Sequence, residues 1–345
     1  MADILFIKPS DASFVVNDER IIRKHFTVES HWFQFGKFTR LLVSEIKLVV
    51  WLIRRMKQAK AVYVWFADYH SVIPVLFAAF LGKKSIVVVG GYDVARVPEL
   101  NYGAHVRPFR SLCVKWTFRK ATELLAVSEF VRRELVRYSD RRASHLLYNG
   151  VDTQFFQRKA GIGKKEMALT VCGADDERTV RIKGVDLFID IAYRLPDVRF
   201  VVAGLGGAAK AYIERIGRKA NIEIRGRSSL KELLRIYNEA KVYCQFSVYE
   251  SFCMALAEAM LCECIPVVTN SGALPEVVGD AGLVLKSRDA DRAAEAVREA
   301  MRFNDAQGQR ARKRIKENFT LDKRERLLVE VLGKMISSRS GHNDG

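Results

Sequence analysis

No CxxC pair occurs among the six cysteines, Cys113, Cys172, Cys244, Cys253, Cys262 and Cys264. Each sits in an apolar run, so they read as reduced core residues of a cytosolic protein rather than a disulfide frame. Cys262 and Cys264 flank one residue, with no second Cys or His pair at zinc spacing, and no metal site is expected. A long uninterrupted apolar run is also missing. The longest, Ala61 to Gly82, is broken by Asp68, His70 and Pro74, which favours a buried strand, a loop and a buried helix over a membrane span. The opening "MADILFIKPSDAS" is too short for the apolar core of a secretory signal and has no cleavage site, so the protein is expected in the cytoplasm. There, the sequon Asn318-Phe319-Thr320 is a chance match. Acidic residues are in deficit, 40 against 57 Lys and Arg, and the net charge of +17 asks for an anionic partner. Nucleic acid, a phosphorylated substrate and an acidic lipid surface all qualify, but no nucleic-acid-binding module is recognisable and none is expected.

What is present is a repeating alternation. Ile4–Ile7, Ala61–Phe66, Ser85–Val89, Glu123–Val127 and His145–Tyr148 read as buried strands, with helical stretches such as Phe38–Gln58, Pro108–Lys120 and Glu129–Tyr138 between most of them. The pattern pauses at "NGVDTQFFQRKAGIGKKEM", rich in turn residues and charge, and then resumes with strands from Ala168, Val198, Ile222, Val242, Ile265 and Gly282. An α/β fold with mostly parallel sheets follows. The expected division is an N-terminal domain over 1–158, a second over 159–321, a terminal helix over 322–337 that could pack back on the first domain, and a disordered tail over 338–345. Asp289 and Asp291 have the DxD spacing of some metal-dependent transferases, but they open an amphipathic helix and are expected to cap it.

The stretch "YESFCMALAEAM" carries the most chemistry. Glu250 and Glu258 are separated by seven residues in an otherwise apolar run. A helix starting near Ser251 or Phe252 would offer unpaired backbone NH groups from Ser251, Phe252, Cys253 and Met254, and its positive dipole end, to a phosphate. On a continuous helix eight residues rise about 12 Å and turn about 80°, which would suit an elongated ligand with phosphates at the helix start and hydroxyls to either side. The plainer alternative is that Glu250 caps the helix and Glu258 pairs with a cation. A second candidate is "DDERTVRIKGVD", where Lys183 precedes a glycine and a helix start.

"SVYESFCMALAEAMLCECIPVVTNSGALPEVVGDAGLVL" (Ser247 to Leu285) resembles the donor-binding segment of family 4 retaining glycosyltransferases, with its Glu, seven residues, Glu, a Pro-Val-Val strand and a Gly-x-x-Pro-Glu-Val-Val loop. The resemblance extends through "RIKGVDLFIDIAYRLPDVRFVVAGLG". It implies the GT-B fold, two Rossmann-like domains facing across a cleft, the first binding acceptor and the second a UDP- or GDP-linked sugar. The implied reaction is transfer with retention to a hydroxyl, without metal or other cofactor. By the same resemblance Glu250 holds hydroxyls of the transferred sugar, Glu258 holds the ribose, and Lys183 with Arg178 contacts the diphosphate, Arg181 being a rival for Arg178. Gly204 stands for the family's glycine-rich loop, Arg227 or Ser228 for base contacts, and Gly272 for the loop facing the sugar. Ser228 could equally cap the next helix. Asp93, in "VVVGGYDVA", is the candidate acceptor-side polar group or base, against a turn-stabilising role. The chain departs from the family pattern at Ser251 and Cys253, where glycines are usual, and at Gly90-Gly91, where many relatives carry His-Gly.

Residues 1–155 hold 24 Lys and Arg against 14 Asp and Glu. "KFTRLLVSEIKLVVWLIRRMKQAK" and "VRPFRSLCVKWTFRK" interleave cations with Trp, Phe and Leu, as helices lying on a membrane do, or as core-facing helices with a solvated basic side do. A lipid-linked acceptor, or a growing glycan, at an anionic cytoplasmic membrane face fits the first reading. The alternatives are a non-catalytic partner subunit of GT-B fold and a basic nucleic-acid-binding protein.

Overall fold

A computed structural model of the chain describes residues 2–139, 145–217 and 219–337. The tail expected to be disordered, 338–345, lies outside the described residues. The chain divides into two compact units: one holds the residues up to Gly150 and those from Leu321 on, the other Val151–Thr320. Residues 151–158, which the sequence reading assigned to the first domain, therefore belong with the second.

The first unit contains strands β1 (Ile4–Lys8), β2 (Val28–Trp32), β3 (Ala61–Trp65), β4 (Lys84–Val89), β5 (Glu123–Ala126) and β6 (His145–Leu146), ordered β2-β1-β3-β4-β5-β6. The second contains β7 (Lys165–Val171), β8 (Arg199–Leu205), β9 (Ile222–Gly226), β10 (Ala240–Gln245), β11 (Ile265–Thr269) and β12 (Leu283–Leu285), ordered β12-β11-β10-β7-β8-β9. Every ladder among them is parallel. Helices cover both faces, so a central strand such as β3, Ala-Val-Tyr-Val-Trp, is buried at all five positions. In both sheets the order reverses beside one strand, between β1 and β3 in the first and between β7 and β10 in the second. Crevices at the carboxyl ends of such strands are where open parallel sheets bind ligands.

Several elements differ from expectation. β2 (Val-Glu-Ser-His-Trp) is an edge strand, half-buried from Val28 to His31 and exposed at Trp32, without the apolar run of its neighbours. Asp305–Asn318 is a highly charged helix that buries only Gly308, Ala311 and Ile315. The helix after Glu250 begins at Met254, not at Ser251 or Phe252, because Cys253 takes a left-handed conformation with φ 74°. Glu250 and Glu258 therefore do not share one helix, and the 80° relation does not apply. Arg178 and Lys183 stand on a short helix, Glu177–Lys183, that ends at Gly184 just before the helix Val185–Arg194. Asp289 does cap its helix, accepting from Arg292 N at 2.9 Å.

The helix Leu321–Ser337 completes the first unit. Its Arg324 is 2% exposed and meets the fully buried Asp18 through Nε–Oδ1 at 2.5 Å and Nη2–Oδ2 at 2.7 Å. The Tyr63 hydroxyl donates to the same carboxylate at 2.6 Å, and Arg324 Nη1 donates to the carbonyls of Leu147 and Tyr148. Each charge in this buried set is matched, as burial requires. No helix among the described residues is long and apolar enough to cross a membrane.

Candidate functional site

In the second unit the polar groups gather after β10, at the point where the strand order reverses. Lys183 Nζ donates to Glu250 Oε2 at 2.7 Å, an ammonium one-third exposed against a carboxylate 7% exposed. Ser247 Oγ also donates to Glu250 Oε2, at 3.3 Å, and Gln245 Nε2 donates to Ser247 Oγ at 2.8 Å. Gln245 Oε1 accepts from the Tyr243 hydroxyl at 3.0 Å and from the Cys253 thiol at 3.4 Å. A buried carboxylate is thus oriented by a hydroxyl, while its cation stays open to solvent and to an incoming anion.

Two glycines make this geometry possible. Gly184 has φ +72°, and a Cβ there would lie 2.0 Å from the Phe246 carbonyl oxygen. This close approach sets Lys183 beside the end of β10. Gly272, with φ +60°, would place a Cβ 1.9 Å from the carbonyl oxygen of Glu250, and Ala273 N donates to that oxygen at 2.8 Å. Glu250 is therefore held by its side chain on one side and its backbone on the other.

The remaining candidates separate by environment. Glu258 lies in the second turn of the helix Met254–Leu261, 8% exposed, accepting from the Tyr237 hydroxyl at 3.0 Å. Burial pushes its carboxyl up to about 7. Phe252 is 1% exposed and its ring meets Phe319 edge-on, so only its backbone could serve a ligand. Ser251 and Met254 are half-buried, and the Cys253 thiol is kept protonated by burial. Arg178 is exposed, and the five residues to Lys183 turn about 140° on a helix, so the two cations leave it on different faces. Arg181 is occupied by Glu177 at 2.6 Å. Gly204, at φ +92°, is the next-to-last residue of β8 and lies against the Cys172 carbonyl. Arg227 pairs with Asp175, a residue the sequence reading did not single out. Ser228 is not the helix cap; Ser229 is, in a capping box with Glu232.

In the first unit Asp93 is completely buried. Its carboxylate accepts from the backbone NH groups of Ala67, Gly90 and Gly91 at 3.1, 3.2 and 2.8 Å. Although burial raises it to about 6, those contacts make it the tie of the β4 loop, and this corrects its assignment as a base. The chemistry at that edge belongs to other residues. A cavity of about 350 Å³ at the β1/β3 reversal is lined by Ser10, Phe66, Asp68, His70, Tyr92 and Arg110, among others. Arg110 donates to the Tyr92 hydroxyl at 2.6 Å, and its Nε lies 3.1 Å from Asp68 Oδ1, ion-pair distance without hydrogen-bond alignment. His70 Nε2 is 2.9 Å from the Trp65 carbonyl, which fixes the proton there and leaves Nδ1 as an acceptor, buried and without a partner among the described residues. Burial lowers the ring's pKa and keeps it neutral.

Sequence reasoning had named Lys183, Glu250 and Gly272, which the fold brings together. It missed Gln245 and Ser247, although a lone Gln ending the apolar run Val-Tyr-Cys-Gln was a readable signal. It also missed Arg110 and Asp68, distant in sequence and carrying no local pattern. Among the described residues no cluster of three or more His, Cys, Asp or Glu could hold a metal ion.

Comparison with known proteins agrees with this architecture. The family profile "Glycosyl transferases group 1" matches residues 154–320, and "Glycosyltransferase Family 4" matches 16–155. One subunit of phosphatidylinositol N-acetylglucosaminyltransferase from Arabidopsis thaliana is 28% identical over 45% of this chain and 36% of its own. MMP alpha-(1->4)-mannosyltransferase of Mycolicibacterium hassiacum is 30% identical over 48% of this chain and 41% of its own. The matched stretch thus spans less than half the length of these relatives. HepE of Anabaena, solved in complex with UDP and glucose, superposes with a TM-score of 0.76 at 15% identity, covering 96% of this chain and all of the other, which is a likeness of fold. With two parallel six-stranded units and profiles that between them cover residues 16–320, the chain belongs to the GT-B glycosyltransferases of family 4, group 1.

Proposed function

We propose that the chain is a retaining, metal-independent glycosyltransferase that moves a sugar from a UDP- or GDP-linked donor to a hydroxyl acceptor, lipid-linked or on a growing glycan, at the cytoplasmic face of an anionic membrane. The observation that carries the proposal is the Lys183–Glu250 pair at the strand-order reversal of the second unit, locked by Gly184 and Gly272. Glu250 accepts from hydroxyls of the bound sugar. Lys183, with the amide groups around Cys253 and Met254, balances the charge that grows on the diphosphate as the anomeric carbon–oxygen bond breaks, whereas Arg178, on another face of its helix, is not assigned to it. A fixed cation and fixed amide dipoles in that position supply the charge stabilisation that a divalent ion supplies elsewhere. The acceptor oxygen bonds to the anomeric carbon on the face the diphosphate leaves, and the acceptor proton passes to the departing phosphate oxygen. Glu258 is assigned to the ribose and Arg227 to the base. The first-unit cavity is assigned to the acceptor, whose hydroxyl can donate to His70 Nδ1 while Arg110 and Asp68 read its other polar groups.

Calorimetric titration with UDP, GDP and ADP in the presence of EDTA tests this. One nucleotide binds, Lys183→Ala and Glu258→Ala weaken that binding, and Glu250→Ala spares it while abolishing transfer. Absence of binding by all three would turn the reading toward a non-catalytic role.

A further inference from the structure

The helix Phe38–Arg55 is apolar on two sides. Leu48 and Leu52 face the core, whereas Phe38, Leu42, Ile46, Val50 and Ile53 are exposed, Phe38 by 78% and Ile53 by 61%. At about 100° per residue those five fall within an arc of about 120° from Phe38, and Arg40, Lys47 and Arg54 follow along its border at about 160–200°. The patch continues on the helix Tyr69–Phe80, where Leu76 and Phe80, the latter 86% exposed, join Ile53 in lining an apolar cavity of about 360 Å³ edged by Lys57. The single acid of the helix Phe38–Arg55, Glu45, falls about 20° beyond the Phe38 edge of the arc, on the side away from the cations, with Oε2 enclosed by protein. Arg40, Lys47, Arg54 and Lys57 have no carboxylate partner among the described residues, while Arg55, off this face, pairs with Glu29 at 3.1 Å.

We propose that this face docks the protein on an anionic lipid bilayer, with Phe38, Ile53 and Phe80 entering the boundary between headgroups and acyl chains and the bordering cations meeting lipid phosphates. It rests on the membrane part of the proposed function and gives that part its surface. An exposed apolar stripe of this size needs a cover, and its chemistry selects one. A second copy related by a two-fold axis would set the four cations against themselves with no acid on the face to receive them. A bilayer bearing negative phosphates accepts the apolar stripe and the cations together, the long Lys and Arg stems reaching the headgroups from its border.

The test is co-sedimentation with phosphatidylcholine vesicles made with and without phosphatidylglycerol, with no nucleotide or sugar present, so failure here leaves the transferase reading standing. The full chain binds the phosphatidylglycerol vesicles, and added salt weakens binding. Ile53→Ser with Phe80→Ser lowers partitioning about tenfold or more, and Arg54→Ser with Lys57→Ser flattens the salt dependence. Both pairs are exposed, so urea midpoints should match the parent and the calorimetric response to UDP, GDP and ADP should be that of the parent. Absence of vesicle binding, binding indifferent to both double variants, or a dimer in sedimentation equilibrium that the Ile53/Phe80 variant dissociates would each overturn the proposal.

Discussion

Replacing Glu258 by Gln should make the protein more stable at neutral and alkaline pH, and by an amount that grows with pH. Glu258 is 8% exposed, and burial raises its carboxyl from an ordinary 4.5 to about 7. Between those values the folded chain holds a proton that the unfolded chain has released, so stability falls as pH rises through that window and levels off above it. A displacement of that size corresponds to about 3 kcal/mol. Gln keeps the shape and can still accept from the Tyr237 hydroxyl, but it never ionises, so the variant lacks this loss. Urea unfolding of both proteins at pH 5, 6, 7 and 8 reads the gap directly. Asp93 and Glu45, raised by burial to about 6 and about 7, titrate alike in both and cancel in the difference. Parallel curves across that range would show that Glu258 ionises in the fold as it does in the open chain, refuting the reasoning.

Gly184→Ala adds a Cβ 2.0 Å from a carbonyl oxygen at a left-handed φ and should cost roughly 2–4 kcal/mol by urea midpoint, with donor binding weakened because Lys183 moves. Arg324→Ala strands the buried Asp18 carboxylate and should cost about 3–5 kcal/mol, while Arg324→Met combined with Asp18→Asn should recover most of it in the same assay. Arg110→Ala should raise the KM for acceptor and leave the affinity for the donor's nucleoside diphosphate unchanged; an unchanged acceptor KM would remove the first-unit cavity from the acceptor assignment.

Much of the fold was legible because covered parallel strands are continuous apolar runs. β3, β4 and β11 could be read within a residue or two of their ends for that reason. β2 was not, since an edge strand with half its surface in water carries no such run. Asp305–Asn318 escaped because its buried stripe is three small or aliphatic residues in a field of charge. The site was readable only where chemistry was local or family resemblance supplied the partner. The spacing of Glu250 and Glu258 suggested one helix, yet Cys253 breaks it with a backbone conformation that its side chain does not announce. Asp93 followed two glycines and looked like a site residue, but the same glycines offer the amides that occupy it. No pattern joins Asp68 to Arg110 or Asp18 to Arg324, because those pairs exist only after the sheet has assembled.

The Asp18–Arg324 pair also bears on the order of events during synthesis. Its members are 306 residues apart, and the whole second unit is encoded between them. At ribosomal speeds of about 5–20 residues per second, Asp18 waits roughly 15–60 s for its counter-charge. During that interval the nascent first unit must leave in water a carboxylate that the finished protein keeps dry. The second unit, continuous in the chain, can reach its own fold first, and the first closes only when the last long helix arrives.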